Sequence, residues 1–200
     1  MLLPLHPVTP EARHMRRVLD VLEKGGICVY PTDSGYSLGC DARNRVAVNK
    51  LYHLKRAIKK YVMALMVRDF SAVSDFARVD NFAFRYMKKI APGPYTFILP
   101  ATVHGRKILD VKRPEVGVRM PTHPFADALF ALKPDLILLT TAAKIREDDI
   151  FTDPAEIEDA FGHEVDLVLD MGPVAVNPTT VISLVDGEAV VIREGQGAVP

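Results

Sequence analysis

The chain has 200 residues, of which 48% are hydrophobic and 25% are charged, and its 25 basic and 25 acidic residues give a formal net charge of zero. This size and composition predict one globular domain over residues 1–200 that buries a core of its own. No apolar run reaches the ~20 residues of a membrane-spanning helix, and the opening MLLPLHPVTP is too short and too interrupted by proline to act as a signal peptide. We therefore expect a cytoplasmic protein in which Cys28 and Cys40 are reduced.

Hydrophobic periodicity and turn residues divide the chain into short helices and strands. Thr9-Pro10-Glu11 combines an N-cap, a proline for the first helical position and an early acidic residue, and so predicts a helix that Gly25-Gly26 ends after Lys24. In chain order we predict a helix over 9–24, a strand over 27–30, a helix over 44–56, a strand over 63–67, a helix over 80–90, strands over 95–100 and 116–120, a helix over 123–132, a central strand over 135–141, a helix from 153, and strands over 165–170, 179–184 and 189–194. This alternation predicts an α/β fold, with a mixed sheet covered by helices on both faces.

The segment YPTDSGYSLGCD, residues 30–41, places many small polar side chains directly after the strand predicted at 27–30. In α/β sheets ligands bind in the loops beyond the strand ends, so this segment is a candidate ligand loop. The other interpretation is an ordinary turn, in which Ser and Asp side chains bond to their own backbone. Taken alone, the segment favours the ordinary turn.

Charge is unevenly distributed along the chain. The stretch between Asp41 and Asp69 has no acidic residue and eight basic ones, namely Arg43, Arg45, Lys50, Lys55, Arg56, Lys59, Lys60 and Arg68. Residues 147–166 have nine acidic residues and no Lys or Arg. We interpret the acidic run as a solvated helix face, whereas the basic run fits either a solvated face or a surface for phosphate or nucleic acid.

Five segments, in the same order, strongly resemble the YrdC/YciO family. They are GGICVYPTDSGYSLGC, PGPYTFILP, VGVRMPTHP, NPTTVISL and VIREGQG, and the similarity extends from about residue 15 to residue 198. The YPTDSGY, NPTTV and VIREG spellings are closer to the YciO branch of that family. The resemblance implies a twisted, open, mixed β-sheet flanked by helices.

The resemblance also implies an activity. The family's synthases form threonylcarbamoyl-adenylate from L-threonine, bicarbonate and ATP with Mg²⁺, and they release pyrophosphate. Their product is used to modify an adenosine next to the tRNA anticodon. Members of the family are also described as binding double-stranded RNA or tRNA on a concave, positively charged surface.

The family pattern implies roles for individual residues of this chain. Arg119, which pairs with the threonine carboxylate or the carbamate, and Lys55 are the expected catalytic residues. Substrate binding is expected from Thr32, Tyr36, Thr140 and Thr180, nucleotide binding from His53, Arg56, Thr179, Arg193 and Lys144, and RNA binding from Lys55, Arg56, Lys59 and Lys60. Tyr30 and Tyr36 supply apolar walls. No protein ligand set for a metal is expected, since the six histidines have no ligand spacing.

The chain departs from the family pattern at two places. The family's K-x-R pair aligns with His53 and Lys55, although a shift by one residue aligns it with Arg56. The family's S-x-N falls within TTAAK at 140–144, where Ala142 lacks the hydroxyl and Lys144 replaces the amide. Losing one donor from a transition-state site costs ~3 kcal/mol, about a hundredfold in rate. Two hypotheses therefore stay open: a threonylcarbamoyl-adenylate synthase, or an RNA-binding protein on the same fold with reduced or lost catalysis.

Overall fold

A sheet of ten strands organises the part of the chain that the computed structural model describes, which is residues 1–55, 63–109, 114–146 and 149–199. The strands are β1 (Leu2–Pro4), β2 (Cys28–Thr32), β3 (Gly35–Asp41), β4 (Ala64–Met66), β5 (Tyr95–Pro100), β6 (Glu115–Arg119), β7 (Leu138–Ala142), β8 (Leu167–Asp170), β9 (Thr180–Ser183) and β10 (Val190–Arg193). Their order across the sheet is β1-β8-β2-β3-β7-β4-β6-β5-β9-β10. Four neighbouring pairs are parallel and five are antiparallel, which confirms the predicted mixed sheet.

Six α-helices lie among the described residues: α1 (Ala12–Glu23), α2 (Arg45–Leu54), α3 (Asn81–Ile90), α4 (Val103–Leu109), α5 (Pro124–Leu132) and α6 (Pro154–Phe161). Alternate residues of β2 face two separate cores, because successive side chains of a strand point to opposite faces. Cys28 and Tyr30 pack with α1 and α5, whereas Val29 packs with the core that includes residues of α2, α3 and α6. Helices therefore cover both faces of the sheet, as the sequence predicts. No helix in the described part of the chain is long and apolar enough to cross a bilayer.

Side-chain caps start the helices near the predicted positions. The carboxylate or amide oxygens of Asn44, Asp80 and Asp153 accept hydrogen bonds from backbone N–H groups in the first turns of α2, α3 and α6. The predicted start of α1 was wrong, since its N-cap is Glu11 and not Thr9. The imidazole Nδ1 of His6 accepts the N–H groups of Val8 and Thr9, so a turn at residues 6–9 takes the place of the expected first turn.

The largest difference from the sequence-based prediction is β3. Residues 35–41 are not a loop but a buried strand, paired antiparallel with β2 on one side and with β7 on the other. The turn between β2 and β3 is reduced to Asp33 and Ser34. Strand β1 and helix α4 were also not predicted. The strand predicted at 135–141 corresponds to β7, which lies at the centre of the sheet between β3 and β4.

Gly39 of β3 is required by the close approach of Tyr30. A Cβ at this position would lie 2.3 Å from the Tyr30 hydroxyl oxygen and 2.8 Å from the ring. The ring is fixed, because it stacks on Phe125 with centroids 4.8 Å apart and its hydroxyl donates to Thr140 Oγ1 at 2.8 Å. The missing side chain of Gly39 thus makes room for a buried aromatic ring.

The substitution Gly39→Ala is expected to lower the free energy of unfolding in urea by about 1–3 kcal/mol through overpacking. In a Tyr30→Phe background the same change should cost less, because the nearest atom has been removed. Equal costs in the two backgrounds would show that the Tyr30 hydroxyl does not restrict position 39.

Candidate active site

A cleft of about 290 Å³ opens among β3, β4, β6, β7, β9 and the loop that precedes β9. Four cationic side chains contribute to its lining: Lys55, Arg119, Lys144 and Arg193. Hydroxyl groups line it as well, from Ser34, Tyr36, Ser37, Thr96, Thr140, Thr141 and Thr179. No carboxylate lines it within the described residues. This composition favours an anionic ligand that also accepts many hydrogen bonds.

Arg119 ends strand β6 and is almost completely buried in the wall of the cleft. Its Nη2 group forms an ion pair with the Asp33 carboxylate, and its Nη1 group donates to Ser34 Oγ at 3.1 Å. The Nε–H of the same guanidinium is buried and has no hydrogen-bond partner among the described residues. Burial lowers the pKa of Arg119, while the Asp33 carboxylate opposes that shift.

Asp33 lies in the β2–β3 turn and compensates the buried guanidinium. Its second carboxylate oxygen accepts the backbone N–H of Thr122 at 3.4 Å. Burial raises the pKa of Asp33, and the charge of Arg119 acts in the opposite direction. Because the two charges balance, the end of the cleft at Arg119 carries little net charge.

Lys55 follows α2, and its side chain is fully buried. Its ammonium donates to the carbonyl oxygens of Ala142 at 3.1 Å and Lys144 at 2.6 Å, both at the end of β7. Burial lowers its pKa to about 8, and the nearby Lys144 charge contributes to that shift. An ammonium group has three N–H bonds, so the two carbonyls leave one donor for a ligand.

Several cleft hydroxyls are held by hydrogen bonds. Thr140 Oγ1 donates to the Leu38 carbonyl at 3.2 Å and accepts from Tyr30. The hydroxyl groups of Thr179 and Thr96 are 2.9 Å apart. Arg193 Nη2 donates to the Thr179 carbonyl at 2.8 Å, which draws the start of β9 towards β10. These bonds fix the directions in which the hydroxyls meet a ligand.

The structure brings seven of the predicted residues to the cleft: Tyr36, Lys55, Arg119, Thr140, Lys144, Thr179 and Arg193. Tyr36 also donates its hydroxyl hydrogen to the Gly172 carbonyl at 2.8 Å, and burial raises its pKa to about 12. The phenol is therefore neutral and serves as a wall.

Four other predicted residues are not among those that line the cleft. Thr32 donates to the Gly35 carbonyl at 2.8 Å and accepts the Ser34 N–H, which stabilises the turn. Thr180 donates to the Gly197 carbonyl at 2.6 Å, His53 is exposed in the last turn of α2, and Tyr30 lies in the core. Their direct contact with a ligand stays a prediction.

The predicted RNA-binding segment lies mostly outside the described residues. Arg56, Lys59 and Lys60 fall within 56–62, which the structure does not describe. The fourth member, Lys55, is buried with its ammonium at the cleft. RNA binding by this segment stays a prediction.

Sequence reasoning missed several contributors to the site. Asp33, Ser34, Ser37, Thr96 and Thr141 were not proposed as site residues. Ser34, Ser37 and Thr96 lie within segments that carry the family resemblance, and that was the available signal. No signal in the sequence pairs Asp33 with Arg119, because their contact depends on which strands are neighbours.

A model of the Sua5/YciO/YrdC family, described as telomere recombination, matches residues 20–195. The chain belongs to this family. It is 39% identical over 196 residues to the uncharacterized protein YciO of Escherichia coli K12, with 98% of this chain and 95% of YciO covered. The crystal structure of E. coli YciO superposes with a TM-score of 0.87 at 38% identity, over 99% of this chain and 97% of that one.

Synthases of the same family are also similar to this chain. The threonylcarbamoyl-AMP synthase of Idiomarina loihiensis is 33% identical over 166 residues, which cover 80% of this chain and 88% of the synthase. The structure of P. abyssi Sua5 complexed with L-threonine has a TM-score of 0.84 at 22% identity, over 98% of this chain and 57% of Sua5. The first relationship places synthases among the relatives of this chain, and the second shows a shared fold.

The buried ammonium of Lys55 predicts a dependence of stability on pH. In the unfolded chain Lys55 titrates near its ordinary value of 10.5, and in the folded protein near 8. Between these values the unfolded state binds more protons, so the free energy of unfolding rises with pH from about 8 to 10.5. Its contribution to this rise is at most about 3 kcal/mol.

Urea unfolding at several pH values from 7 to 10 tests this prediction. Relative to the wild type, Lys55→Met should lack the rise, whereas Lys50→Met, which alters an exposed lysine of the same helix, should keep it. If the free energy of unfolding changed with pH in the same way in the wild type and in Lys55→Met, burial of a charged Lys55 would be contradicted.

Proposed function

We propose that this protein catalyses the ATP-dependent formation of threonylcarbamoyl-adenylate from L-threonine and bicarbonate, and so supplies tRNA threonylcarbamoyladenosine modification. The observation that carries the proposal is the cleft itself, which combines four cationic side chains and a set of hydroxyls with no carboxylate among its described lining residues. Two further facts support it: threonylcarbamoyl-AMP synthases are relatives of this chain, and a Sua5 of the same fold was crystallised with L-threonine.

The reaction requires positioning and charge neutralisation more than covalent chemistry by the protein. A carbamate oxygen attacks the α-phosphorus of ATP, and the bond from that phosphorus to the bridging oxygen of pyrophosphate breaks. Nucleotidyl transfer of this type is accelerated by cations and oriented donors around the phosphates. Lys55, Lys144 and Arg193 supply the cations, and Thr179 supplies an oriented hydroxyl.

In this proposal Arg119 binds the carboxylate or carbamate of the amino-acid substrate. Its planar guanidinium suits bidentate recognition of such a group, and Ser34 together with Asp33 holds its orientation. Because Asp33 already balances the charge, this end of the cleft suits a zwitterion. The other end, at Lys55 and Lys144, suits the more highly charged triphosphate.

The described residues do not form a protein-held Mg²⁺ site. No carboxylate lines the cleft, and no group of three or more His, Cys, Asp or Glu side chains in the described part of the chain is arranged to hold a metal. Oxygen ligands, above all carboxylates and phosphates, are what Mg²⁺ prefers. Mg²⁺ therefore enters the proposal as part of the nucleotide substrate, held by its phosphates.

The departures from the family pattern change the donors at the phosphate end. Ala142 offers no hydroxyl to the cleft, whereas Lys144 brings a positive charge. The backbone carbonyls of both residues hold the Lys55 ammonium, so this segment still organises the cations. We expect a working phosphate site that relies on charge where the family's pattern relies on neutral donors.

Release of labelled pyrophosphate from ATP, with Mg²⁺, bicarbonate and L-threonine, tests the proposal. Release should require bicarbonate and threonine together. Arg119→Lys keeps a positive charge beside Asp33 but loses the planar fork, and it should lower the rate about a hundredfold. Arg106→Ala, which alters an exposed arginine of α4, is the matched control and should leave the rate unchanged.

ATP turnover that ignores threonine and bicarbonate would rule out this reaction. Absence of turnover, together with RNA affinity that decreases steeply with salt, would instead favour the RNA-binding hypothesis.

A further inference from the structure

The C-terminal strap, residues 194–198, contacts segments that line the cleft and is anchored at both ends. Thr180 Oγ1 accepts the N–H of Gly195 at 3.0 Å and donates to the carbonyl of Gly197 at 2.6 Å. The hydroxyl of Tyr95 donates to the Ala198 carbonyl at 2.8 Å. A Cβ on Gly197 would lie 2.4 Å from the Tyr95 ring, so the strap approaches that ring as closely as a glycine allows.

Between these anchors, Gln196 reaches two other segments. Its side-chain amide nitrogen donates to the carbonyl of Asp33 at 2.7 Å and to the carbonyl of Asn177 at 3.0 Å. Its backbone N–H donates to the carbonyl of Pro178 at 3.0 Å. One exposed side chain thus joins the β2–β3 turn to the loop over residues 171–179.

Both joined segments contribute to the lining of the cleft. Ser34 comes from the turn, while Val176, Pro178 and Thr179 come from the loop and the start of β9. Gln196 does not itself line the cleft. Any influence it has on a ligand therefore passes through these neighbours.

Asp33 connects this clasp to the functional guanidinium. Its backbone carbonyl accepts from Gln196, and its carboxylate pairs with Arg119. We propose that Gln196 is a positioning residue, which clasps the β2–β3 turn to the 171–179 loop and so fixes Asp33, Ser34 and Arg119 for the amino-acid substrate. The clasp follows from the contacts alone, and its effect on threonine rests on the proposed function.

The chemistry of the clasp requires an amide. A single NH₂ group presents two N–H donors to two carbonyl acceptors, whereas a carboxylate at the same place presents only acceptors. Water can replace these exposed bonds, so their loss should change the arrangement of the turn more than the stability of the fold.

Hydrogen exchange and calorimetry on Gln196→Glu and Gln196→Ala test the proposal. Backbone amides at 33–35 and 174–177 should exchange about fivefold faster or more in both variants, and most in Gln196→Glu. L-Threonine affinity should decrease about fivefold, the equivalent of one net hydrogen bond, with ATP affinity within about twofold of wild type. Glu194→Gln, an exposed change on the same strap, is the matched control and should match wild type.

A second pair of variants tests the anchor of the strap. Thr180→Val removes the buried hydroxyl that holds Gly195 and Gly197, and it should raise exchange at 33–35 and 174–177 as the Gln196 variants do. Thr180→Ser keeps the hydroxyl and should restore slow exchange.

Unchanged exchange at 33–35 and 174–177 in Gln196→Glu would overturn the clasp. Equal losses of threonine and ATP affinity, or faster exchange throughout the protein, would also overturn it, since either result indicates general destabilisation. A wild-type protein that does not bind threonine would contradict the proposed function, and the exchange measurements would still decide the clasp.

Discussion

Two positively charged side chains, Lys55 and Arg119, are buried in the wall of one cleft. The groups that stabilise each of these charges differ, and this difference determines the electrostatics of the site. Burying an unpaired ion costs several kcal/mol, so the fold has to supply opposite charge or the ion has to find it in a ligand. Arg119 forms an ion pair with the Asp33 carboxylate, which balances its charge. Two backbone carbonyls hold the Lys55 ammonium, and burial lowers its pKa to about 8, a shift that the charge of Asp149 opposes only in part.

Because the two cations are stabilised differently, the two ends of the cleft differ in electrostatic character. The Arg119 end is close to neutral and is arranged for a planar acid group, with Ser34 as an additional donor. The Lys55 end also carries Lys144, and no carboxylate is among the described lining residues of the cleft. In the proposed reaction an amino acid occupies the first end and a triphosphate the second, so the electrostatics of the cleft support that reaction.

The strand order brings these residues together from distant parts of the sequence. Strand β7 lies between β3 and β4, and its end supplies the carbonyls that hold Lys55. The β2–β3 hairpin carries Asp33 towards the end of β6, where Arg119 lies. A hairpin in place of a long loop also explains why the turn is rigid enough to hold a buried guanidinium.

Much of the fold was predictable because individual strands and helix starts are encoded by residues that are close together in the sequence. Short runs of apolar residues marked β5 and β8, and Asn44, Asp80 and Asp153 marked the helix starts. Strand β3 was missed because its glycines and serine resemble a loop, although Tyr36, Leu38 and Cys40 alternate with them at the period of a strand. The candidate site residues followed from the resemblance to the family, whereas the Asp33–Arg119 pair and the Gln196 clasp depend on tertiary contacts between segments far apart in the chain.

An NMR titration of the Lys55 side chain, with and without ATP, tests whether Lys55 is a buried cation that meets the phosphates of the nucleotide. We predict a pKa of about 8 for Lys55 in the free protein. Bound ATP should raise this pKa by about one unit or more, because phosphate charge close to the ammonium favours its protonated form. A pKa near 10.5 in the free protein, or one that ATP does not move, would contradict a buried Lys55 ammonium at the phosphate end of the cleft.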